Sequence, residues 1–281
     1  MTYAREVWRR LEAVHAVTYF SPLVREAATE AGLKGFWMGY FGFRAAPLGP
    51  VAPAVVEAVF YNFAPRRVRR ALPDAWGFAA PDRLLPARSA AAAAALRALS
   101  PAADAVAGRT VDALAAAVAA AAPDGRPLFA ANRDLPLPDD PVERLWQLCT
   151  SLREHRGDGH VATLTTAGVG GLEAHVLVAA ERGMPSALLR DSRGWTADEW
   201  DAAAAGLRGR GLLGDGGELS ADGLALRTRI EADTDALAAP PFAVLGADGR
   251  TRLLADLAPL ADAVVDSGLV PYPNPIGVPK P

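Results

Sequence analysis

Leu207-Arg208-Gly209-Arg210-Gly211-Leu212-Leu213, then Asp215-Gly216-Gly217, then Glu218-Leu219-Ser220-Ala221-Asp222-Gly223 is the stretch on which the fold turns. Gly211 ends a helix. Leu212-Leu213 and Glu218-Leu219 flank Asp215-Gly216-Gly217, a tight hairpin signal. Ser220 then caps a long helix that runs to about Leu237 and stops before Pro240-Pro241. Upstream, Thr196 caps the helix ending at Gly211, and Glu199 three residues on completes a capping box. Pro185–Arg193 and Leu172–Arg182 read as two further helices, the second closed by Gly183. Between Pro141 and about Arg156, Leu145, Leu148, Cys149 and Leu152 recur at i, i+3, i+4 and i+7, one face of a helix. Gly157-Asp158-Gly159 is expected to break it, with a short helix from His160 to about Ala167.

Helix, helix, short helix, helix, two-stranded wing and long helix is the winged-helix order. The Leu207–Gly223 stretch resembles the MarR signature, in which a helix ends in a basic-Gly-Leu turn and the wing returns through Leu-Thr-x-x-Gly. This resemblance spans about Pro141–Leu237. Nearly the full length is also similar to an actinobacterial helix-turn-helix family, through Gly39–Gly49, Phe60-Tyr61-Asn62-Phe63, His155–Val161 and Asn274-Pro275-Ile276-Gly277. That resemblance implies a fold and no activity.

The chain matches itself at an offset of about 136. Ala31–Phe36 falls on Ala167–Leu172, and Trp8 falls near Trp146. Val68–Leu72 falls on Ala203–Leu207 at about 135, and Leu85–Arg88 on Leu219–Asp222 at 134. Chance similarity in an alanine-rich chain is the competing reading. Taken as relatedness, the matches predict a mainly α fold of two tandem winged-helix (MarR-like) domains forming an intramolecular pseudo-dimer. The expected bounds are 1–122 for the first domain, 123–140 for a linker, 141–239 for the second domain and 240–281 for a tail. The tail holds a helix at about Thr251–Ser267 and an extended run from Pro271 to Pro279. The first copy has Gly77-Phe78-Ala79-Ala80-Pro81-Asp82 where a glycine-rich wing tip would fall.

The 281 residues are 51% hydrophobic with a formal net charge of −3, so a large core fits and nothing points to a protein coated in nucleic acid. One cysteine, Cys149, excludes a disulfide framework and suits a reducing cytoplasm. No apolar leader is read at the N-terminus, and Arg97 interrupts the alanine tract after Ser89, so no membrane partner is expected. The chain is expected to be cytoplasmic, as a monomer or homodimer.

Charge divides the two DNA-reading regions. Thr196–Gly223 holds six acids and two bases, with Asp198, Glu199 and Asp201 at the start of the would-be recognition helix. Phosphates would be repelled there, although acids in a first helical turn are also ordinary capping. Asn62–Arg88 holds six arginines and two acids. Arg66, Arg67, Arg69 and Arg70 are the candidate DNA contacts, either holding phosphates or forming a solvated basic face. Two competent half-sites are absent, so at most weak DNA binding is expected.

Polar residues gather at the matching helix corners. His15, Tyr19, Arg44, Tyr61, Asn62, Arg153, His155, Arg156, Asp158 and His160 are expected to surround one small-molecule cleft between the copies, walled by aromatics. Alternatives stay open. A histidine among them acts as acid or base in an enzyme, or Asp158 merely caps a helix and the arginines pair with acids. His155, Asp158 and His160 with His15 could ligate a metal, but the spacing lacks the helical i, i+4 pattern. No cofactor and no metal are expected. His175 reads as a core histidine. Phosphate-loop, dinucleotide and nucleophile-elbow motifs are absent.

Overall fold

The computed structural model describes residues 1–276, so Gly277-Val278-Pro279 of the expected extended run lie outside the described residues. The helices are α1 (Tyr3–Phe20), α2 (Pro22–Glu30), α3 (Gly35–Ala45), α4 (Pro53–Phe60), α5 (Pro65–Arg69), α6 (Asp74–Phe78), α7 (Pro81–Leu99) and α8 (Ala103–Ala120). They continue with α9 (Pro127–Arg133), α10 (Pro141–Thr166), α11 (Gly171–Arg182), α12 (Ser186–Arg193), α13 (Ala197–Gly209), α14 (Ala221–Ala238) and α15 (Gly246–Asp266). Six helices begin on a proline: α2, α4, α5, α7, α9 and α10. Proline lacks only an N–H that a first turn leaves unpaired anyway, and its fixed φ suits helix entry.

Three apolar clusters organise these helices. The central one gathers Val7, Leu11 and Val14 of α1, Leu96 of α7, Leu114 of α8, Trp146 and Leu148 of α10, and Leu257 and Leu260 of α15. A second lies wholly toward the N-terminal lobe, around Leu33, Phe41, Phe60, Leu72 and Leu84, with Leu128 of α9 added. The third belongs to the C-terminal lobe, around Leu164, Leu177, Trp200, Leu207 and Ile230. The expected bounds at 122 and 141 therefore do not separate two cores, because both halves fill the central cluster. Residues 123–140, expected as a linker, carry α9, whose Leu128, Phe129 and Asn132 are buried. The tail helix starts earlier than expected, at Gly246, directly after a 3-10 turn at Pro240–Leu245.

The corner between the first two helical stretches recurs at the 136 offset. Gly32 and Gly168 both have positive φ, 101° and 64°. Leu33 N donates to the Ala28 carbonyl at 2.9 Å, and Val169 N to that of Leu164 at 3.0 Å. Gly32 N donates to Thr29 at 2.9 Å and Gly168 N to Thr165 at 3.1 Å. This is one glycine-terminated helix end built twice. The match of Leu85–Arg88 to Leu219–Asp222 joins unlike elements, since the former lies inside α7 and the latter runs from the bridge residue Leu219 through the Ser220 cap into the first turn of α14.

Several expectations need correction. Gly157-Asp158-Gly159 does not break the helix, and α10 runs unbroken from Pro141 to Thr166. Two glycines cost a helix only about 1 kcal/mol each relative to alanine, which burial on several sides outweighs. Gly159 is there for close approach: a Cβ would stand 2.6 Å from Arg126 Nη1. The two-stranded wing reduces to an isolated antiparallel bridge, Leu213 with Leu219. In the first lobe α6 passes into α7 through Ala79-Ala80, with no such bridge among the described residues. The caps read from sequence are present: Thr196 Oγ1 accepts from Glu199 N at 3.2 Å, and Ser220 Oγ from Gly223 N at 3.0 Å.

Candidate functional site

The site grows from three helices that meet between the lobes. On α1, Glu12, His15 and Tyr19 follow helical spacing, on α10 Thr150, Arg153 and Glu154 do so, and on α3 Tyr40 and Arg44 stand four apart. A buried chain of alternating partners links them. Trp8 Nε1 donates to Glu12 at 3.2 Å, Arg153 Nε to Glu12 at 3.2 Å and Arg153 Nη1 to Glu154 at 2.9 Å. Arg44 then closes on Glu154 with two parallel bonds of 3.0 and 3.1 Å and donates to the Tyr40 hydroxyl at 3.2 Å. Burial pushes the Glu154 carboxyl up, but Arg153 and Arg44 on either side outweigh it and hold it well below the usual carboxylate range.

Beside this chain, His15 is clamped at both ring nitrogens, to Thr150 Oγ1 at 2.9 Å and to the Tyr19 hydroxyl at 2.8 Å. Its ring stacks on Trp146 with centroids 6.1 Å apart. Burial, then Arg153, keep the imidazole neutral by lowering its pKa well below 6.5. One nitrogen therefore donates and the other accepts. Burial likewise raises the Tyr19 phenol.

A cavity of about 330 Å³ opens against this cluster, walled by His15, Tyr19, Tyr40, Phe43, Arg88 and Trp146 among others. Two buried donors beside it, Trp146 Nε1 and Arg88 Nε, have no hydrogen-bond partner among the described residues. Burial draws Arg88 down to about 10. Its other nitrogens donate to the Phe43 carbonyl, Asn132 and Gln147, none of them charged. A second cavity of about 200 Å³ adjoins the first across Tyr40 and Arg44, which line both.

The ten expected site residues divide. His15, Tyr19 and Arg44 line the first cavity; Asn62, Arg153, Arg156 and His160, with Arg44 again, line the second. Tyr61, His155 and Asp158 line neither. Tyr61 is a clasp between lobes: its hydroxyl donates to the Val169 carbonyl at 2.7 Å, and its φ of 41° is unusual for a side-chain-bearing residue. His155 packs edge-on against Phe129, and Asp158 accepts from Phe129 N at 2.9 Å, so both anchor α9. Burial raises Asp158 to about 7. On the continuous α10, His155 and His160 face different sides, and no group of three His, Cys, Asp or Glu suited to a metal occurs among the described residues.

The arginine cluster is largely engaged. Arg66 forks onto Glu199 at 2.8 and 2.5 Å, Arg69 onto Glu57 at 2.6 and 3.1 Å, and Arg67 donates to the Asp191 carbonyl at 2.7 Å while stacking over Trp37. Arg70 is exposed. The start of α5 is thus tied to the start of α13, and Ala64 N donates to the Arg193 carbonyl at 3.0 Å beside them. Glu12, Tyr40, Trp146, Glu154 and Arg193 were missed by sequence reading. The available signal for Glu154 was a run of polar residues at helical spacing, Gln147, Thr150, Ser151, Glu154 and Asp158, on a face of α10 that the structure buries.

These features define a mainly helical protein whose apolar clusters surround a charged, cavity-bearing interior. Residues 4–271 match a family described as helix-turn-helix, and the chain belongs to that family. No curated protein and no solved structure matches it. No single helix among the described residues is long and apolar enough to cross a membrane; two bent pairs pass only when joined across turns of 93° and 97°.

Proposed function

We propose that this helix-turn-helix protein binds a small molecule in the first cavity, on two diverged winged-helix units paired within one chain. The repeated glycine corner and the like order of helices support the pairing. The observation that carries the binding is the cavity of about 330 Å³ beside the His15–Tyr19 pair, with unpartnered Trp146 Nε1 and Arg88 Nε at its wall. An aromatic wall with a few convergent donors suits a flat, mainly apolar ligand that carries hydrogen-bond acceptors. His15 and Tyr19 supply a neutral polar pair to orient it.

The test is a thermal-shift panel of small aromatic acceptor compounds against the full chain and against Thr18→Trp, which fills the cavity from α1. Compounds that raise the wild-type midpoint and not that of Thr18→Trp support the reading. Equal response in both proteins, or none in the wild type, overturns it.

A second reading, a DNA-binding regulator, is favoured by the family and by the exposed arginines of α5. The pairs of Arg66 with Glu199 and Arg69 with Glu57 must open for it. Their exposure makes such opening cheap, since surface ion pairs contribute little. Fluorescence anisotropy with random duplex DNA across a salt series tests it.

A further inference from the structure

The second cavity holds more positive charge than its own acids neutralise. Arg153 has Glu12 and Glu154, Arg156 has Asp235 at 3.1 Å, and Arg227 has Glu181 and Glu231, each at 3.0 Å. Arg193 has no carboxylate within ion-pair distance among the described residues, although it is only 8% exposed. Its Nη2 donates to the Pro275 carbonyl at 2.6 Å, its guanidinium lies 4.6 Å over the Phe63 ring, and its Nε has no partner. A buried guanidinium without a counter-charge is costly to keep. Two more buried nitrogens on the same cavity lack partners, His175 Nε2 and Arg156 Nε. These groups come from α10, α11 and α12, so three elements converge unmatched donors on one space.

We infer that the second cavity is an oxyanion site, in which Arg193 pairs with a carboxylate or phosphoryl group and His175 donates from Nε2. A planar guanidinium fork fits either oxyanion with two parallel bonds. His175 suits this role as a neutral donor, since burial and the nearby Arg193 keep it unprotonated. Phe60, Phe63, Pro275 and Ile276 add apolar surface to the lining of the same cavity. The site stands independently of the first cavity, from which Tyr40 and Arg44 divide it.

The test titrates the full chain with inorganic phosphate and, separately, with benzoate, by calorimetry and thermal unfolding. Saturable heat and a raised midpoint with one probe are expected, and which probe works names the oxyanion. Arg193→Gln should weaken binding at least about tenfold, the scale of a charge-assisted bidentate pair. Without any anion this variant should unfold no earlier than the wild type, because it removes an unpaired charge. Arg193→Lys keeps the charge but loses the fork and should bind with intermediate strength. Thr18→Trp should bind as the wild type does, so failure of the first-cavity reading leaves this result intact. Absence of saturable heat with both probes, or undiminished binding by Arg193→Gln, overturns the proposal.

Discussion

Arg44 and Glu154, 110 residues apart in sequence, meet through two parallel bonds of 3.0 and 3.1 Å, which fix the guanidinium that, with Tyr40, lines both cavities. Glu154 is 1% exposed and also holds Arg153. Replacing it with glutamine leaves Arg44 without its counter-charge and Arg153 with Glu12 alone. Glu154→Gln should cost about 3–5 kcal/mol in a denaturant titration. A loss below about 1 kcal/mol would show that solvent reaches the pair.

The same carboxyl sets part of the acid limb. Its folded pKa lies far below the 4.5 of the free group. The stabilisation is therefore complete above that value and declines as pH falls below it toward the folded pKa, since the unfolded chain takes up the proton first. Wild-type stability should drop steeply below about pH 4.5, and Glu154→Gln should flatten that drop when both are followed by circular dichroism.

Histidines act in a higher window. Burial holds His160 down to about 4, against 6.5 when free, with Glu231 opposing and Arg156 adding to the effect. Between those values the unfolded state binds a proton that the folded state refuses. Stability should fall with falling pH by about 1.4 kcal/mol per pH unit from this group. His160→Gln should remove that slope between pH 6 and about 4.5; an unchanged slope there assigns it to the other buried histidines.

Gly171 gives a packing prediction. A Cβ on it would fall on the carbonyl oxygen of Tyr61 and stand 3.0 Å from Asn62 Cα, both backbone atoms of the other lobe. Gly171→Ala should destabilise by about 1–3 kcal/mol, as forced overpacking does. Limited proteolysis should then cut sooner near Asn62. Wild-type resistance in the variant would show that the lobes can shift apart without loss.

The ties at the lobe mouth predict the DNA behaviour. Glu199→Ala releases Arg66, and Glu57→Ala releases Arg69. If DNA is bound through α5, the double variant should bind random duplex several-fold tighter with a steeper salt dependence, by about one ion per freed arginine. No change in the slope would place DNA contact elsewhere or nowhere.

Local signals carried well from sequence to structure. The Thr196–Glu199 box and the Ser220 cap are decided within one helical turn, so a short window contains their whole cause. The Gly157-Asp158-Gly159 reading failed because the neighbours that keep α10 straight, Arg126 and Leu237, come from distant segments. The pairing of the arginine cluster was hidden for a related reason. Arg66 looks free until Glu199, 133 residues on, is seen beside it. Half-legible was the site: His15 and Tyr19 announce themselves as unusual polar groups at a helix corner, whereas Arg193 resembles any helix-end arginine until its surroundings are known.

The central cluster draws on α1 at one end of the sequence and α15 at the other, with Val14 and Leu257 both fully enclosed. During vectorial synthesis the N-terminal helix must wait for its partner. Residues 24–91 can settle their own cluster early, but α1 keeps part of an apolar stripe uncovered until residues 246–270 leave the ribosome. Helices α7 and α10 cover part of that stripe first, and truncation before α15 leaves the remainder bare for chaperones to find.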